Sequence, residues 1–301
     1  MNEIVLQTFA LSKNYGSVRA VAGIDLPVYR GEVFGFLGPN GAGKTTTIGM
    51  ALGLIHPTSG QVELFGERVS PARVAPLRRV GALVGAPSFV PRFSARRNLQ
   101  LVARLYPGVG AVRIDEVLDL AGIAHAADRP VKGYSTGMKQ RLGLAAALIH
   151  HPELILLDEP TNGLDPAGMR EVRDLLRGLA ADGTTVFLSS HLLHEVEQTC
   201  DRVAVLNRGQ IVAQGRVSEL LGRQQVVRVR VASPAAARDA LLQSGVAAAD
   251  LRSNGSYLEV AGLPGETIVE RLAAHQIYPA EVVAQGHDLE ATFLELTKES
   301  A

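Results

Sequence analysis

Apolar and polar residues follow two different periods along this chain, one typical of strands and one typical of helices. Residues 3–30 alternate between apolar and polar positions, with turn signals around Asn14 and Gly23, which predicts an antiparallel strand pair. The continuous apolar run Leu154–Leu157 predicts a strand buried on both faces. Further strands of this first part are expected at residues 33–37, 61–65, 80–84, 184–188, 202–206 and 211–214.

Helical periodicity fills the intervals between these strands. It runs from Ser94 to Ala121, where Leu99 and Val102 share one face, and it returns at residues 138–150. Strands that alternate with helices favour an α/β fold with a mostly parallel sheet, preceded by an antiparallel β subdomain and interrupted by a helical subdomain at about residues 85–150. Other helices are expected at residues 45–54, 71–79, 166–181 and 192–199.

Beyond about residue 222 the order of elements changes. Strand, helix, strand, strand, helix and strand follow each other, and this β-α-β-β-α-β order predicts a small ferredoxin-like α+β module. We therefore expect two domains, residues 1–222 and 223–301. The second carries no phosphate loop in its sequence, and its expected roles are docking, regulation or dimer support. A closing helix is expected to have an apolar face formed by Leu289, Phe293 and Leu296.

Composition narrows the class of protein. Of 301 residues, 47% are hydrophobic and 20% charged, which favours a packed core over disorder. Thirty basic residues balance thirty acidic ones, so bulk charge does not indicate a nucleic-acid partner. Cys200 is alone, which excludes an internal disulfide framework. No signal peptide is visible, and the apolar run 142–149 is far shorter than the ~20 residues of a membrane span, so we expect a soluble protein.

The clearest chemistry stands between the predicted strand 33–37 and the helix after it. Gly38, Gly43, Lys44 and Thr45 occupy the fixed positions of the phosphate-binding P-loop. Glycines let backbone N–H groups approach phosphate oxygens, and the helix N-terminus adds positive potential. We expect Lys44 to meet the β- and γ-phosphates and the Thr45 hydroxyl to bind Mg²⁺. The expected nucleotide-binding residues of this loop are Gly38, Pro39, Asn40, Gly41, Ala42, Gly43, Lys44, Thr45 and Thr46.

An acidic pair, Asp158 and Glu159, directly follows the buried strand 154–157. A carboxylate at the end of a strand, in a chain with a P-loop, predicts that Asp158 holds Mg²⁺ opposite Thr45. Glu159 is then placed to polarise an attacking water as a general base. By itself an acidic pair would indicate a solvated turn or a helix cap, but the P-loop favours the catalytic interpretation.

Between these two motifs the chain reads Tyr134-Ser135-Thr136-Gly137-Met138-Lys139-Gln140-Arg141, at the start of a predicted helix. The P-loop, this Ser-x-Gly signature, the acidic pair, the segment 161–165 and His191 follow in that order. In this order and spacing, residues 1 to about 220 resemble the ATPase subunit of an ATP-binding cassette (ABC) transporter. The resemblance implies ATP and Mg²⁺ as cofactors, and a membrane partner that is a separate chain.

The resemblance also implies roles for single residues. Tyr15 corresponds to the aromatic residue that stacks on adenine, and Ser135 and Gly137 correspond to the signature positions that bind the γ-phosphate held by the opposite subunit. His191 corresponds to the γ-phosphate-sensing histidine, and Asp165 to a carboxylate that acts across the subunit interface. Two subunits, identical or different, would enclose two ATP molecules and open after hydrolysis. The expected catalytic residues are Lys44, Glu159 and His191.

This sequence departs from the family pattern in two places. The signature has Thr136 and Met138 where the commonest pattern has glycine and glutamine, which is usual in the antibiotic-resistance branch. Gly85 stands where the family carries glutamine, or glutamate in this branch, so we expect weaker coupling of the site to the membrane partner, or coupling through a neighbour such as Ser88. Residues 289–297 resemble the terminal motif of daunorubicin-resistance ATPases, with low specificity.

The sequence leaves three functions to consider. The first is the ATP-hydrolysing motor of a bacterial exporter of a drug, antibiotic or lipid-like compound, on the inner face of the cell membrane through a separate permease. The second is a soluble cassette ATPase acting on ribosomes or DNA, which the neutral charge and the single cassette disfavour. The third is a P-loop kinase or GTPase, which the signature disfavours. No nucleic-acid partner is expected.

Overall fold

The computed structural model describes residues 3–70, 72–222 and 226–285. These residues form two compact units that divide between Gly215 and Arg216, each with its own apolar core. The division at residue 222 stays a prediction. No helix among the described residues is both long and apolar enough to cross a bilayer. The closing helix expected around Leu289, Phe293 and Leu296 lies outside the described residues.

The described residues of the first unit form ten strands and six α-helices. The strands are β1 (Ile4–Tyr15), β2 (Val18–Tyr29), β3 (Val33–Leu37), β4 (Ser59–Leu64), β5 (Glu67–Arg68), β6 (Val80–Leu83), β7 (Leu154–Asp158), β8 (Thr185–Ser190), β9 (Arg202–Asn207) and β10 (Gln210–Arg216). The helices are α1 (Lys44–Ala51), α2 (Ala95–Ala103), α3 (Ala111–Leu120), α4 (Thr136–Leu148), α5 (Pro166–Ala181) and α6 (Leu193–Thr199).

Two sheets organise this unit. The larger has the order β10-β9-β3-β8-β7-β6, and its pairs from β9 through β6 are parallel. The smaller has the order β2-β1-β4-β5 and is antiparallel. The sequence therefore predicted correctly both the mostly parallel sheet and the antiparallel subdomain. The carboxyl ends of β3, β7 and β8 lie side by side, which brings together the segments that follow them.

Burial on both faces explains why these central strands are continuous apolar runs. All five residues of β3 and all five of β7 are buried. Phe187 of β8 stacks on Phe34 at a centroid distance of 5.6 Å and contacts Phe36 at 5.5 Å. At Gly35 a Cβ would lie 2.6 Å from Val196 Cγ1, so only glycine lets α6 pack this closely on β3.

The structure divides the single helical stretch expected at residues 94–121 into two helices. It contains α2 and α3 as separate helices because Pro107 and two glycines stand between them. Ser94 caps α2 by accepting a hydrogen bond from Arg97 N. The helix expected at residues 71–79 is only a 3₁₀ helix, Ala75–Arg79, since Pro76 favours the first turn of a helix rather than its interior.

The second unit has the predicted β-α-β-β-α-β order after one short helix. Its described strands are β11 (Val226–Arg230), β12 (Leu251–Asn254), β13 (Tyr257–Ala261) and β14 (Glu281–Gln285). They form an antiparallel sheet in the order β12-β13-β11-β14, the ferredoxin-like arrangement that the order of elements predicts. Val229 and Leu258 contribute to a buried core of this unit, together with Ile268 and Leu272. Its α-helices are α7 (Val217–Gly222), α8 (Pro234–Gln243) and α9 (Gly265–Ala274).

Candidate functional site

The loop between β3 and α1 is shaped by its glycines. A Cβ at Gly38 would lie 2.4 Å from Leu206 O, and a Cβ at Gly43 would lie 2.4 Å from Ala20 O. Gly43 also has a φ of +110°, and Gly41 a φ of +82°, conformations that other residues rarely adopt. Residues 39–41 are exposed at the tip of the loop. The chain therefore wraps tightly around the start of α1 and leaves its tip accessible.

Lys44 is buried, with 6% of its surface exposed, and its ammonium group lies inside this loop. Lys44 Nζ donates a hydrogen bond to Gly38 O at 2.6 Å. It also lies 3.1 Å from Glu159 Oε1, close enough for an ion pair but without hydrogen-bond geometry. The buried positive charge is therefore held between the loop and the carboxylate of Glu159, which directly follows β7.

Thr45 and Asp158 meet across the gap between α1 and β7. Thr45 Oγ1 donates to Asp158 Oδ2 at 2.8 Å, and Ser189 Oγ donates to the other carboxylate oxygen, Oδ1, at 2.6 Å. Asp158 is 6% exposed and Ser189 is fully buried. These contacts hold two oxygen-bearing groups, the hydroxyl of Thr45 and the carboxylate of Asp158, side by side.

Glu159 lies between two positively polarised groups. Its Oε2 accepts a hydrogen bond of 2.8 Å from His191 Nδ1, while its Oε1 faces Lys44. The backbone has a left-handed φ of +51°, uncommon for a residue with a side chain. Glu159 N donates to Ser189 Oγ at 3.1 Å and Ser189 O at 3.2 Å, and Gln140 Nε2 donates to Glu159 O at 3.4 Å. These bonds hold the strained residue in place, as expected at a functional site.

The expected signature residues lie elsewhere in the unit. Ser135 is exposed and caps α4 by accepting from Met138 N, and Asp165 is exposed and caps α5 by accepting from Gly168 N. A Cβ at Gly137 would lie 2.9 Å from Leu164 Cδ2, so the two segments pack together. Within the described part of the chain, no hydrogen bond or ion pair joins Ser135, Gly137 or Asp165 to residues 38–46.

Tyr15 is the last residue of β1 and is half exposed. Lys13 Nζ lies 5.1 Å from the centre of its ring, within the range of a cation–π contact. The aromatic ring of Tyr15 is thus partly presented to solvent at the end of a strand.

Gly85 lies beside the acidic pair and leaves space there. Its φ is +65°, and a Cβ would have no atom within 4 Å. It lines a cavity of about 540 Å³ together with Lys139, Gln140, Asp158 and Glu159. Ser88 is not among the described residues that line this cavity, whereas Gln140 lines it and donates a hydrogen bond to Glu159 O.

Two contributors to the site were not assigned by sequence reasoning, Ser189 and Gln140. Ser189 is paired with Asp158 in the parallel register of β7 and β8, which is why its hydroxyl reaches both acidic residues. The available signal was the polar Ser189-Ser190 pair at the end of a buried strand, immediately before His191. Gln140 stands in the signature segment, but its direction depends on how α4 packs.

A phosphate-sized loop at the start of a helix, a hydroxyl–carboxylate pair and a glutamate held by lysine and histidine define a P-loop nucleoside triphosphatase. Among the described residues no group of three or more His, Cys, Asp or Glu forms a separate metal cluster. Comparison with known proteins identifies the family of the chain. A family profile described as ABC transporter matches residues 21–162.

Several curated relatives match over most of their length. Bacitracin transport ATP-binding protein BcrA of Bacillus licheniformis is 47% identical over 209 residues, 69% of this chain and 68% of the relative. An uncharacterized ABC transporter ATP-binding protein, YhcH of Bacillus subtilis, is 39% identical over 298 residues, 98% and 97% of the two chains. Daunorubicin resistance ATP-binding protein DrrA3 of Streptomyces coeruleorubidus is 41% identical over 224 residues, 73% and 71% of the chains.

A solved structure has a similar fold. It is the dimeric post-hydrolysis state of the ATP-binding cassette MJ0796 bound to ADP and Pi, with a TM-score of 0.65, 25% identity, and coverage of 70% of this chain and 98% of that one. The chain belongs to the ATP-binding subunits of ABC transporters, and it is an ATPase of that family. The resemblance to the antibiotic-resistance branch is confirmed, and the ribosome or DNA alternative is not supported.

Proposed function

We propose that this chain is the motor subunit of an exporter that moves an antibiotic, drug or lipid-like compound through a separate membrane subunit. The observation that supports the proposal is the position of the Glu159 carboxylate beside the Thr45–Asp158 pair. Its Oε1 lies 3.1 Å from Lys44 Nζ, and its Oε2 lies 2.8 Å from His191 Nδ1. The names of BcrA and DrrA3, bacitracin transport and daunorubicin resistance, support the export of an antibiotic.

The residues at the loop suit a nucleoside triphosphate with a divalent cation. The close approaches at Gly38 and Gly43, where a Cβ would fill the space, keep the loop narrow, and its backbone N–H groups and the start of α1 suit phosphate oxygens. Thr45 Oγ1 and Asp158 Oδ2 are the oxygen donors that Mg²⁺ prefers, and both would hold it. When bound, Mg²⁺ would supply positive charge against the phosphate oxygens.

Glu159 and its neighbours suit the hydrolytic step. A carboxylate that is fixed on both sides can accept a proton from water and orient it, and general-base catalysis contributes typically ~10²–10⁴-fold in rate. We assign this role to Glu159 and the orienting role to His191, whose Nδ1 donates to it. Lys44 would exchange its contact with Gly38 O for phosphate oxygens.

Ser135, Gly137 and Asp165 would act on the nucleotide of a second ATPase subunit. They are placed at the exposed starts of α4 and α5, and within the described residues they make no bond to the chain's own phosphate loop. The relative MJ0796 is dimeric in its ADP- and Pi-bound structure, which supports two paired subunits here. Tyr15 would stack on the adenine. The intact motifs of this chain permit a homodimer.

The test is to purify the chain with the membrane protein encoded by the neighbouring gene and reconstitute both in liposomes. A panel with a peptide antibiotic, an anthracycline and a lipid-like amphiphile is added, and ATP hydrolysis is measured. We expect at least one class to raise the rate in the parent and none to do so in Glu159→Gln. Failure to co-purify with any membrane protein, together with sedimentation with ribosomes at moderate salt, would overturn the proposal.

A further inference from the structure

The segment that begins at Glu159 is a stiff turn. Asn162 N donates a hydrogen bond to Glu159 O at 3.1 Å, which closes a four-residue turn with Pro160 at its second position. Proline fixes the backbone angle φ and is favoured at this position of a turn. Glu159 itself has a left-handed φ of +51°, and a residue in that region stays there only when its surroundings hold it. A displacement of Thr161, the third residue of the turn, therefore moves Glu159.

Thr161 is tied to the first turn of α6. Its hydroxyl oxygen, Oγ1, donates a hydrogen bond to Glu195 Oε2 at 2.7 Å, a length typical of a hydroxyl that bonds to a carboxylate. Among the described residues this hydroxyl is the only hydrogen-bond donor to the Glu195 carboxylate, because the other oxygen, Oε1, has no partner there. One bond thus joins the turn after β7 to the helix after β8.

Glu195 is itself fixed relative to the parallel sheet. The next residue, Val196, is fully buried and packs on β3 at Gly35, where a Cβ would lie 2.6 Å from Val196 Cγ1. Within α6 the Glu195 backbone oxygen also accepts a hydrogen bond from Thr199 Oγ1 at 2.6 Å. The helix therefore provides Thr161 with a firm point of attachment.

We propose that Thr161 and Glu195 are positioning residues for ATP hydrolysis, a proposal that rests on the role of Glu159 as the base. Their bond holds the turn after β7 where Glu159 Oε2 lies 2.8 Å from His191 Nδ1 and Glu159 Oε1 lies 3.1 Å from Lys44 Nζ. A displacement of a catalytic group by ~1 Å can lower a rate by ~10²-fold, so a bond at this place has a large effect on turnover.

The experiment measures kcat and KM for ATP hydrolysis by the full chain. Thr161→Val removes the hydroxyl at nearly constant size, and Glu195→Met removes the acceptor. We expect each to lower kcat about tenfold or more and to change KM less than about twofold, because the substitutions leave the phosphate loop unchanged. The double variant should have a kcat no lower than the single ones, since both changes remove the same bond. Thr161→Ser keeps the donor and should stay within about twofold of the parent.

Thr199→Val is the matched structural control. Thr199 lies in the same helix and its hydroxyl also bonds to Glu195, but at the backbone oxygen and not across to the turn. We expect it to lower the melting temperature and to leave kcat within about twofold of the parent. Folding of every variant is checked by circular dichroism. If Thr161→Val does not fold, Glu195→Met gives the same comparison.

Glu159→Gln separates a failure of this proposal from a failure of the proposed function. Hydrolysis by Glu159→Gln near the parent rate would contradict Glu159 as the base. If Glu159→Gln loses turnover, adding Thr161→Val to it should not lower the residual hydrolysis further, measured with the chain in excess over ATP, because the Thr161 hydroxyl acts through the Glu159 carboxylate. A parental kcat in Thr161→Val or Glu195→Met, an equal loss in Thr161→Ser or Thr199→Val, or the same fold-loss in the Glu159→Gln background would each overturn the positioning role.

Discussion

At the scale of single residues, Ser189 holds both acidic residues of the site. Its hydroxyl donates to Asp158 Oδ1 and accepts from Glu159 N. Ser189→Ala leaves buried groups without a partner, so we expect the free energy of unfolding to fall by about 1–3 kcal/mol. We also expect a higher Mg²⁺ concentration for half-maximal ATPase activity, because Asp158 loses its support. Denaturant unfolding and a Mg²⁺ titration check the two effects.

The neighbouring Ser190 provides the control. It is equally buried, but its hydroxyl accepts from Leu192 N instead of contacting an acidic residue. Ser190→Ala is expected to lower stability without changing the Mg²⁺ dependence. If both variants shift the Mg²⁺ requirement equally, Ser189 has no specific role at Asp158.

Gly85 stands where the resemblance leads us to expect glutamine or glutamate. A glutamine at this position enters the cavity beside Glu159 without a steric clash, since a Cβ has open space there. The left-handed φ of +65° costs a non-glycine residue about 1–2 kcal/mol. We expect Gly85→Gln to change both the ATPase rate and its stimulation by the membrane partner.

Gly85→Ala separates the two effects of that substitution. Alanine carries the same backbone strain but no amide, so it should lower the melting temperature like glutamine without changing stimulation. ATPase assays of the three proteins with the membrane partner give the comparison. Equal rates and equal stimulation in parent and Gly85→Gln would show that the side chain missing at residue 85 has no effect on coupling.

The P-loop and the acidic pair could be recognised from sequence because their residue types and spacing are fixed by the chemistry of phosphate binding. Ser189 and Gln140 could not be assigned, since their roles arise from contacts between elements far apart in the chain. Ser189 reaches Asp158 only through the register of β7 and β8, and Gln140 reaches Glu159 only through the packing of α4. The left-handed backbone of Glu159 leaves no mark in the sequence either.

At the scale of elements, four charged residues tie strand ends together. Arg30, after β2, pairs with Glu3 before β1, and also with Glu153 before β7 at 2.9 Å. Arg79, before β6, hydrogen-bonds Glu153 as well. This bond and that of Arg30 lower the pKa of Glu153 to about 2. The cluster joins the antiparallel sheet to the parallel one.

The cluster predicts a dependence of stability on pH. Because the pKa of Glu153 is lower in the folded chain than the ordinary value of 4.5, its contribution is full above about pH 4.5 and is lost as the pH falls towards about 2. Glu153 is partly exposed, so we expect no more than about 1 kcal/mol between parent and Glu153→Gln at pH 6. Denaturant unfolding at several pH values measures the difference, which should shrink below pH 4.5. A difference that does not vary with pH would contradict this account.

Most elements were predictable because the strands of the parallel sheet are largely apolar runs and several helices have side-chain caps, such as Asp165 for α5. The errors occurred where local signals competed. Residues 94–121 have helical periodicity throughout, yet the chain forms two helices, α2 and α3, with Pro107 between them. The short β5 has two residues and forms only by pairing with β4, so no periodic pattern could indicate it.

At the scale of the whole molecule, the central claim is that one chain provides ATP hydrolysis through Glu159 and needs a second subunit to complete the site. The groups that we propose for phosphate, cation and water meet at the ends of β3, β7 and β8. Ser135 and Gly137 belong to a separate exposed segment. This division of the site between two surfaces is what the dimeric relative leads us to expect.

The measurement that tests this claim most directly compares parent and Glu159→Gln for ATP binding, ATP hydrolysis and size-exclusion behaviour. Glutamine keeps the size of the side chain but cannot accept a proton from water, so we expect ATP binding to persist and turnover to fall by about 10²-fold or more. We also expect the variant to elute as a dimer with ATP and as a monomer without it. Hydrolysis near the parent rate would contradict the assignment of Glu159 as the base, and a variant that stays monomeric with ATP would contradict the shared site.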